Sequence, residues 1–180
     1  MRSVLNLYAR LLDIIGAIEK SFGVFLIALI VVTITVQVFT RYVFDRPIVW
    51  VEELATYAFI WGAFIGAALG HKQQRHIRID TFVGRLPPRG MAAFRLLANL
   101  LALGLFLVLA NAALTVMGVE GRSRSIALPI DIPRKWFYSV PLFVSVVSMA
   151  VTSVYFILRE SVALATGMRD TTTEGGGSIA

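Results

Sequence analysis

Residues 21–40 read SFGVFLIALIVVTITVQVFT, from Ser21 to Thr40, twenty residues with no formal charge and no proline. At about 1.5 Å per helical residue, a helix of this length crosses a hydrocarbon layer about 30 Å thick. Three more charge-free runs follow at 54–70, 96–119 and 136–158, with lengths of 17, 24 and 23 residues. The second is short, but Glu53 and His71 can complete its ends at the interface, or the bilayer can thin locally at fractions of a kcal/mol per Å. The chain is 57% hydrophobic with charge confined to the gaps, and its mean hydropathy is +0.77. Helices of a soluble globule would carry a polar face, and these four do not. Barrel strands would alternate apolar and polar residues over short segments. Lipid requires every backbone polar group to be satisfied within the segment, so continuous apolar runs imply helices. The expected fold is all-α, an integral membrane four-helix bundle over residues 21–160.

The lysines and arginines set the expected orientation. The N-terminal segment, the gap between the second and third runs and the tail together hold eleven, and the two remaining gaps hold six. The positive-inside rule then places both termini and the middle gap in the cytoplasm. The net charge of +6 suits anionic headgroups of the lipid bilayer rather than nucleic acid, because the basic residues hug helix ends. Tyr42, Phe44, Trp50, Trp136, Phe137 and Tyr138 gather at the opposite interface, where amphipathic rings are favoured. Trp61, at mid-span, reads as a packing residue.

The first run begins too late and is too long for a secretory signal core, so it is expected to be retained. Residues 1–20 place Val4, Tyr8, Leu11, Ile15 and Ile18 at helical spacing, which predicts an amphipathic interfacial helix lying on the inner leaflet or leading into the first span. Residues 161–180 form a cytoplasmic tail whose end, rich in threonine and glycine, is expected to be disordered. In the middle gap, Asp80 is placed to cap a short helix over 81–86, and Pro88 can open the third long helix.

Candidate working residues are few. Ala58, Gly62, Gly66 and Gly70 recur every four residues on the second helix, a stripe that lets another helix approach closely, most simply one of this chain. Asn99, Asn111 and Gln37 are read as the polar groups of the spans, each donating to a neighbouring helix. No Asp, Glu, Lys, Arg or His falls within the four runs, although ion and proton pathways ordinarily need such groups. Paired mid-depth breaks and internal repeats, the marks of a substrate site in secondary transporters, are also missing from the sequence. His71 and His76 are five apart and read as solvated interfacial residues rather than haem or metal ligands. Cysteine is absent, which removes disulfides and thiolate sites. No cofactor, metal or catalytic residue is expected, and no substrate bound by this chain alone.

The segment between the first two runs carries the most specific pattern: Arg41-Tyr42-x-Phe44-Asp45-x-Pro47-Ile48-x-Trp50-x-Glu52-Glu53-Leu54. Gly66-Ala67-Ala68 and His76-Ile77-x-Ile79-Asp80 follow, with Pro129, Pro133 and Pro141 before and into the last run. Over residues 20 to 160 this resembles the small membrane subunit, the DctQ-like or Q subunit, of the tripartite ATP-independent periplasmic (TRAP) transporters. The resemblance implies a support for a large multi-span TRAP membrane subunit, which moves an organic acid delivered by a periplasmic substrate-binding protein. It implies further that Arg41, Asp45, Trp50, Glu52 and Glu53, with Arg122 and Arg124, form a periplasmic interface or docking surface, and that His76 and Asp80 lie at the cytoplasmic interface. The rival reading is a self-contained homo-oligomeric channel built on the glycine stripe, which would need a polar pore stripe that the second helix lacks beyond Thr56 and Tyr57.

Overall fold

The computed structural model describes residues 2–73, 88–124 and 131–166. Four long helices account for most of them: α1 (Arg2–Val43), α2 (Val49–Lys72), α3 (Pro88–Glu120) and α4 (Ser139–Thr166), with a 3₁₀ turn at Arg134–Trp136 before the last. All four are long and apolar enough to cross a membrane. α3 opens on Pro88, where the missing N–H is one of the first-turn donors that has no helical acceptor in any case. Pro141 falls within the first turn of α4 for the same reason and is fully buried.

α1 is a single helix of 42 residues, about 63 Å long and so about twice the thickness of a hydrocarbon layer. The amphipathic segment and the first apolar run are thus one element, and the segment leads straight into the span. Leu12 is buried and the Tyr8 hydroxyl donates to the Val151 carbonyl at 2.8 Å, whereas Leu11 and Ile18 are 49% and 64% exposed. The covered side of this stretch meets polar groups of α2 and α4, and Leu11, Ile15 and Ile18 stay uncovered on the other side.

α1 ends where Asp45 takes a left-handed φ of 51°, a conformation that a short polar side chain tolerates. The Arg46 N–H turns back to the Thr40 carbonyl at 3.3 Å, and Pro47 prevents further helix. Gln37, 4% exposed, fixes this turn to the next helix. Its Nε2 donates to Glu52 Oε1 and its Oε1 accepts from the Ile48 N–H, both at 3.1 Å. α2 has no side-chain cap of its own, so Gln37 supplies the acceptor that its entry requires.

Packing proceeds from neighbour to neighbour: α1 lies along α2, α2 along α4, and α4 along α3. Leu26 of α1 packs with Ala58 and Ile65 of α2, flanked by Leu29, Ile30 and Trp61. Trp61 stands edge-on to Phe22 and donates its indole N–H to the Trp136 carbonyl at 3.2 Å. α2 and α4 are the inner pair, with 33% of their most apolar windows buried against 11% for α1 and α3. The outer surfaces of α1 and α3 are therefore mostly apolar, suited to hydrocarbon rather than water.

Candidate functional site

Two clusters tie the helices together, one toward each end. Midway along α1 and at the C-terminal end of α2, Lys72 Nζ lies 2.6 Å from Glu19 Oε2, and both side chains are nearly buried. Ser148 of α4 completes the group: its hydroxyl donates to Glu19 Oε1 at 2.6 Å and accepts from Lys72 Nζ at 2.8 Å. Gly16, one turn before Glu19, lets the Lys72 stem lie across α1, with Cδ 3.8 Å from where a Cβ would stand. Beside this group, His71 Nε2 is hydrogen-bonded to Ser153 Oγ at 2.9 Å. The imidazole stands edge-on to Phe106 of α3 and Phe156 of α4, at centroid distances of 5.2 and 6.2 Å. One cluster thus touches all four helices.

Its depth was not legible in the sequence. Glu19 and Lys72 flank the first two apolar runs, but their common partner Ser148 lies well inside the fourth, ten residues before its end at Leu158, or about 15 Å. The expectation that ionisable groups stay outside the spans therefore fails: the α1–α2 pair is set outward relative to α4, and that stagger draws its charged ends alongside apolar helix. They remain because each charge neutralises the other and the serines satisfy the rest. The expectation of a solvated His71 fails as well, since its ring is buried against two phenylalanines. The signal that could have found the site is the row Ser145, Ser148, Thr152 and Ser153 on the fourth run, small polar residues that are all buried apart from Ser148.

The outer cluster is aromatic and acidic. Tyr57 stacks on Phe137 with centroids 3.9 Å apart, stands edge-on to Tyr138, and donates its hydroxyl to Glu53. Arg134 covers the Tyr138 ring at 5.2 Å, and the Ser139 hydroxyl donates to the Glu120 carboxylate, joining α3 to α4. Beyond it, Arg124 Nη1 contacts Asp131 Oδ2 at 2.8 Å, and the Arg134 N–H donates to the Ser123 carbonyl at 3.0 Å. Among the predicted outer residues, Arg41 lies over Tyr42 at 5.9 Å. Arg41, Asp45, Trp50, Arg122 and Arg124 are exposed on this end, while Glu52 and Glu53 are engaged by Gln37 and Tyr57. His76 and Asp80 lie outside the described residues.

The glycine row divides. Ala58 is buried and a Cβ on Gly62 would stand 4.0 Å from Leu26 Cβ, but one on Gly66 or Gly70 would meet nothing within 4 Å among the described residues. Packing within the chain thus accounts for the outer half of the stripe and not for the inner half, because α2 turns its Gly66 face away from both neighbours. Gly62→Leu should therefore lower the melting temperature in detergent, since its side chain must displace Leu26, whereas Gly66→Leu should leave the isolated chain within about 0.5 kcal/mol of the parent. Equal losses from the two would contradict this division. Asn99 also departs from expectation: its Nδ2 donates to the Arg95 carbonyl of its own helix at 2.8 Å. Asn111 is exposed and its side chain has no partner among the described residues. Gln37 alone of the three bridges helices as expected.

No group of three or more His, Cys, Asp or Glu that could hold a metal occurs among the described residues. The two clusters join helices, and their polar groups are largely used on one another.

Comparison with known proteins agrees with this architecture. A protein named a TRAP transporter small permease in Haemophilus influenzae is 30% identical over 103 residues, covering 57% of this chain and 60% of that protein. The sialic acid TRAP transporter small permease protein SiaQ of Vibrio cholerae is 29% identical over 133 residues, 72% of this chain and 74% of SiaQ. In Haemophilus influenzae, the sialic acid TRAP transporter permease protein SiaT is 29% identical over 75 residues, 42% of this chain but only 12% of SiaT. Residues 30–162 match the family model for the DctQ component of tripartite ATP-independent periplasmic transporters. That stretch takes in the last third of α1, all of α2 and α3 and most of α4, so the chain belongs to the DctQ family of TRAP transporter components.

Proposed function

We propose that this chain is the structural support of a TRAP transporter: it holds a large permease subunit at fixed depth and contributes to docking of the periplasmic binding protein that delivers an organic acid. The chain is a multi-pass protein of the bacterial inner membrane, and in this reading both of its termini lie in the cytoplasm. The observation that carries the reading is the use made of the ionisable groups at membrane depth. Glu19, Lys72 and His71 are bonded to one another or to serines, an arrangement that resists helix sliding and opposes the hydration an ion pathway requires. A partner that moves through the membrane must push against something that does not. The rings at the outer end and the basic residues at the inner end anchor these helices against tilt and displacement.

Extraction in mild detergent tests the assignment. A stable complex with a much larger multi-span permease is expected, and a symmetric ring of this chain alone would overturn it. For the docking role, Arg122→Glu with Arg124→Glu in the complete transporter should slow uptake and weaken its dependence on ionic strength, because rim charges act mainly on association rate. Unchanged uptake with unchanged salt dependence would remove these two residues from the docking surface.

A further inference from the structure

The outer face of α3 carries one polar group that hydrocarbon cannot satisfy. Gly104, Val108, Asn111 and Thr115 are spaced four, three and four residues apart, share one side of the helix and are all exposed. α4 occupies the other side, and α2 reaches α3 through the contact of His71 with Phe106. Thr115 is satisfied within the helix, its hydroxyl donating to the Asn111 carbonyl at 3.1 Å. The Asn111 amide, with two donors and an acceptor, has no partner among the described residues, and it lies eight residues before the outer end of its apolar run at Val119, about 12 Å into the layer. The outer face of α1 differs. Ile27, Val31, Ile34 and Val38 are apolar and exposed there, and Thr35 bonds to the Val31 carbonyl, so acyl chains suit that face without any further partner.

We propose that the α3 face centred on Asn111 docks a transmembrane helix of the large permease, which exchanges side-chain hydrogen bonds with the Asn111 amide. This rests on the support role proposed above and adds the surface through which it acts. Lipid tails offer no hydrogen-bond partner at this depth, whereas a helix with a polar side chain does. A permease is favoured over a second copy of this chain because a segment resembling 42% of this chain makes up 12% of the much longer SiaT permease.

The cysteine-free sequence permits a clean test. Val108→Cys on α3, 67% exposed, and Val31→Cys on α1, 59% exposed, are labelled with benzophenone maleimide in membranes containing the complete transporter, irradiated, and their adducts identified by mass spectrometry. The expected result is an adduct of the Val108→Cys variant with the multi-span permease and none from Val31→Cys. Asn111→Leu should reduce permease recovered with the chain by roughly 3- to 20-fold without lowering the chain's own melting temperature, and Asn111→Gln should restore part of it. If the unmodified chain co-purifies with the permease but Val108→Cys labels only lipid or a second copy of the chain, the α3 face is overturned and the support role stands. If the unmodified chain recovers no permease, the support role fails, and this inference with it.

Discussion

Lys72→Met is expected to destabilise the chain by about 3–5 kcal/mol, the cost of leaving one member of a buried ion pair charged and unpaired. Methionine keeps an unbranched stem in the space that Gly16 leaves over α1, so the loss reports the ammonium and not a cavity. Without it, Glu19 retains a single hydrogen bond from Ser148, beside apolar helix on the inner half of α4. Glu19→Gln combined with Lys72→Met should recover most of the loss, because a neutral amide at that site carries a far smaller desolvation cost. Melting temperatures in detergent for the two single variants and the double complete the cycle. A double variant that loses the sum of the two singles would show that the pair contributes nothing as a pair, and the inner joint would then be incidental.

Thr152→Phe is expected to have the second large effect. Thr152 is completely buried, and Ser145 and Ser153 beside it are 2% and 0% exposed, so α4 offers its neighbours a surface of small side chains with no spare volume. An aromatic ring there must push helices apart, at about 1–3 kcal/mol for overpacking alone. It must also separate Ser148 and Ser153 from Lys72 and His71, which adds the loss of the inner cluster. Val154→Phe, on the same helix at a position 38% exposed, is the control and should be nearly neutral. If both variants accumulate and melt like the parent, α4 does not pack as closely against its neighbours as described.

The four helices were legible because a charge-free apolar run of about the length that crosses a bilayer has only one use, even where, as in the second run, the ends must complete it, and that signal needs no knowledge of partners. Helix ends were legible where proline or a charge marks them, as at Pro47 and Pro88. The relation between helices was not. Nothing in the separate runs says how α2 is offset along α4, so His71 looked solvated until Ser153 was placed opposite it. Azimuth was hidden in the same way. The glycine row marked a contact that α1 makes at Gly62, but beyond Ile65 α2 meets α1 through Leu69 and Lys72 and not through Gly66 or Gly70. Gln37 and Asn99 were read alike as groups donating to a neighbouring helix; Gln37 does so, while Asn99 found a nearer acceptor on its own helix.

Solute accumulation by sealed vesicles containing this chain alone, measured beside vesicles that also contain the large permease and the binding protein, tests most directly whether permeation belongs to a companion subunit. The chain alone is expected to give no uptake above empty vesicles under any imposed ion gradient, and the complete set to concentrate the organic acid. Accumulation against a gradient by the chain alone would contradict the support role outright.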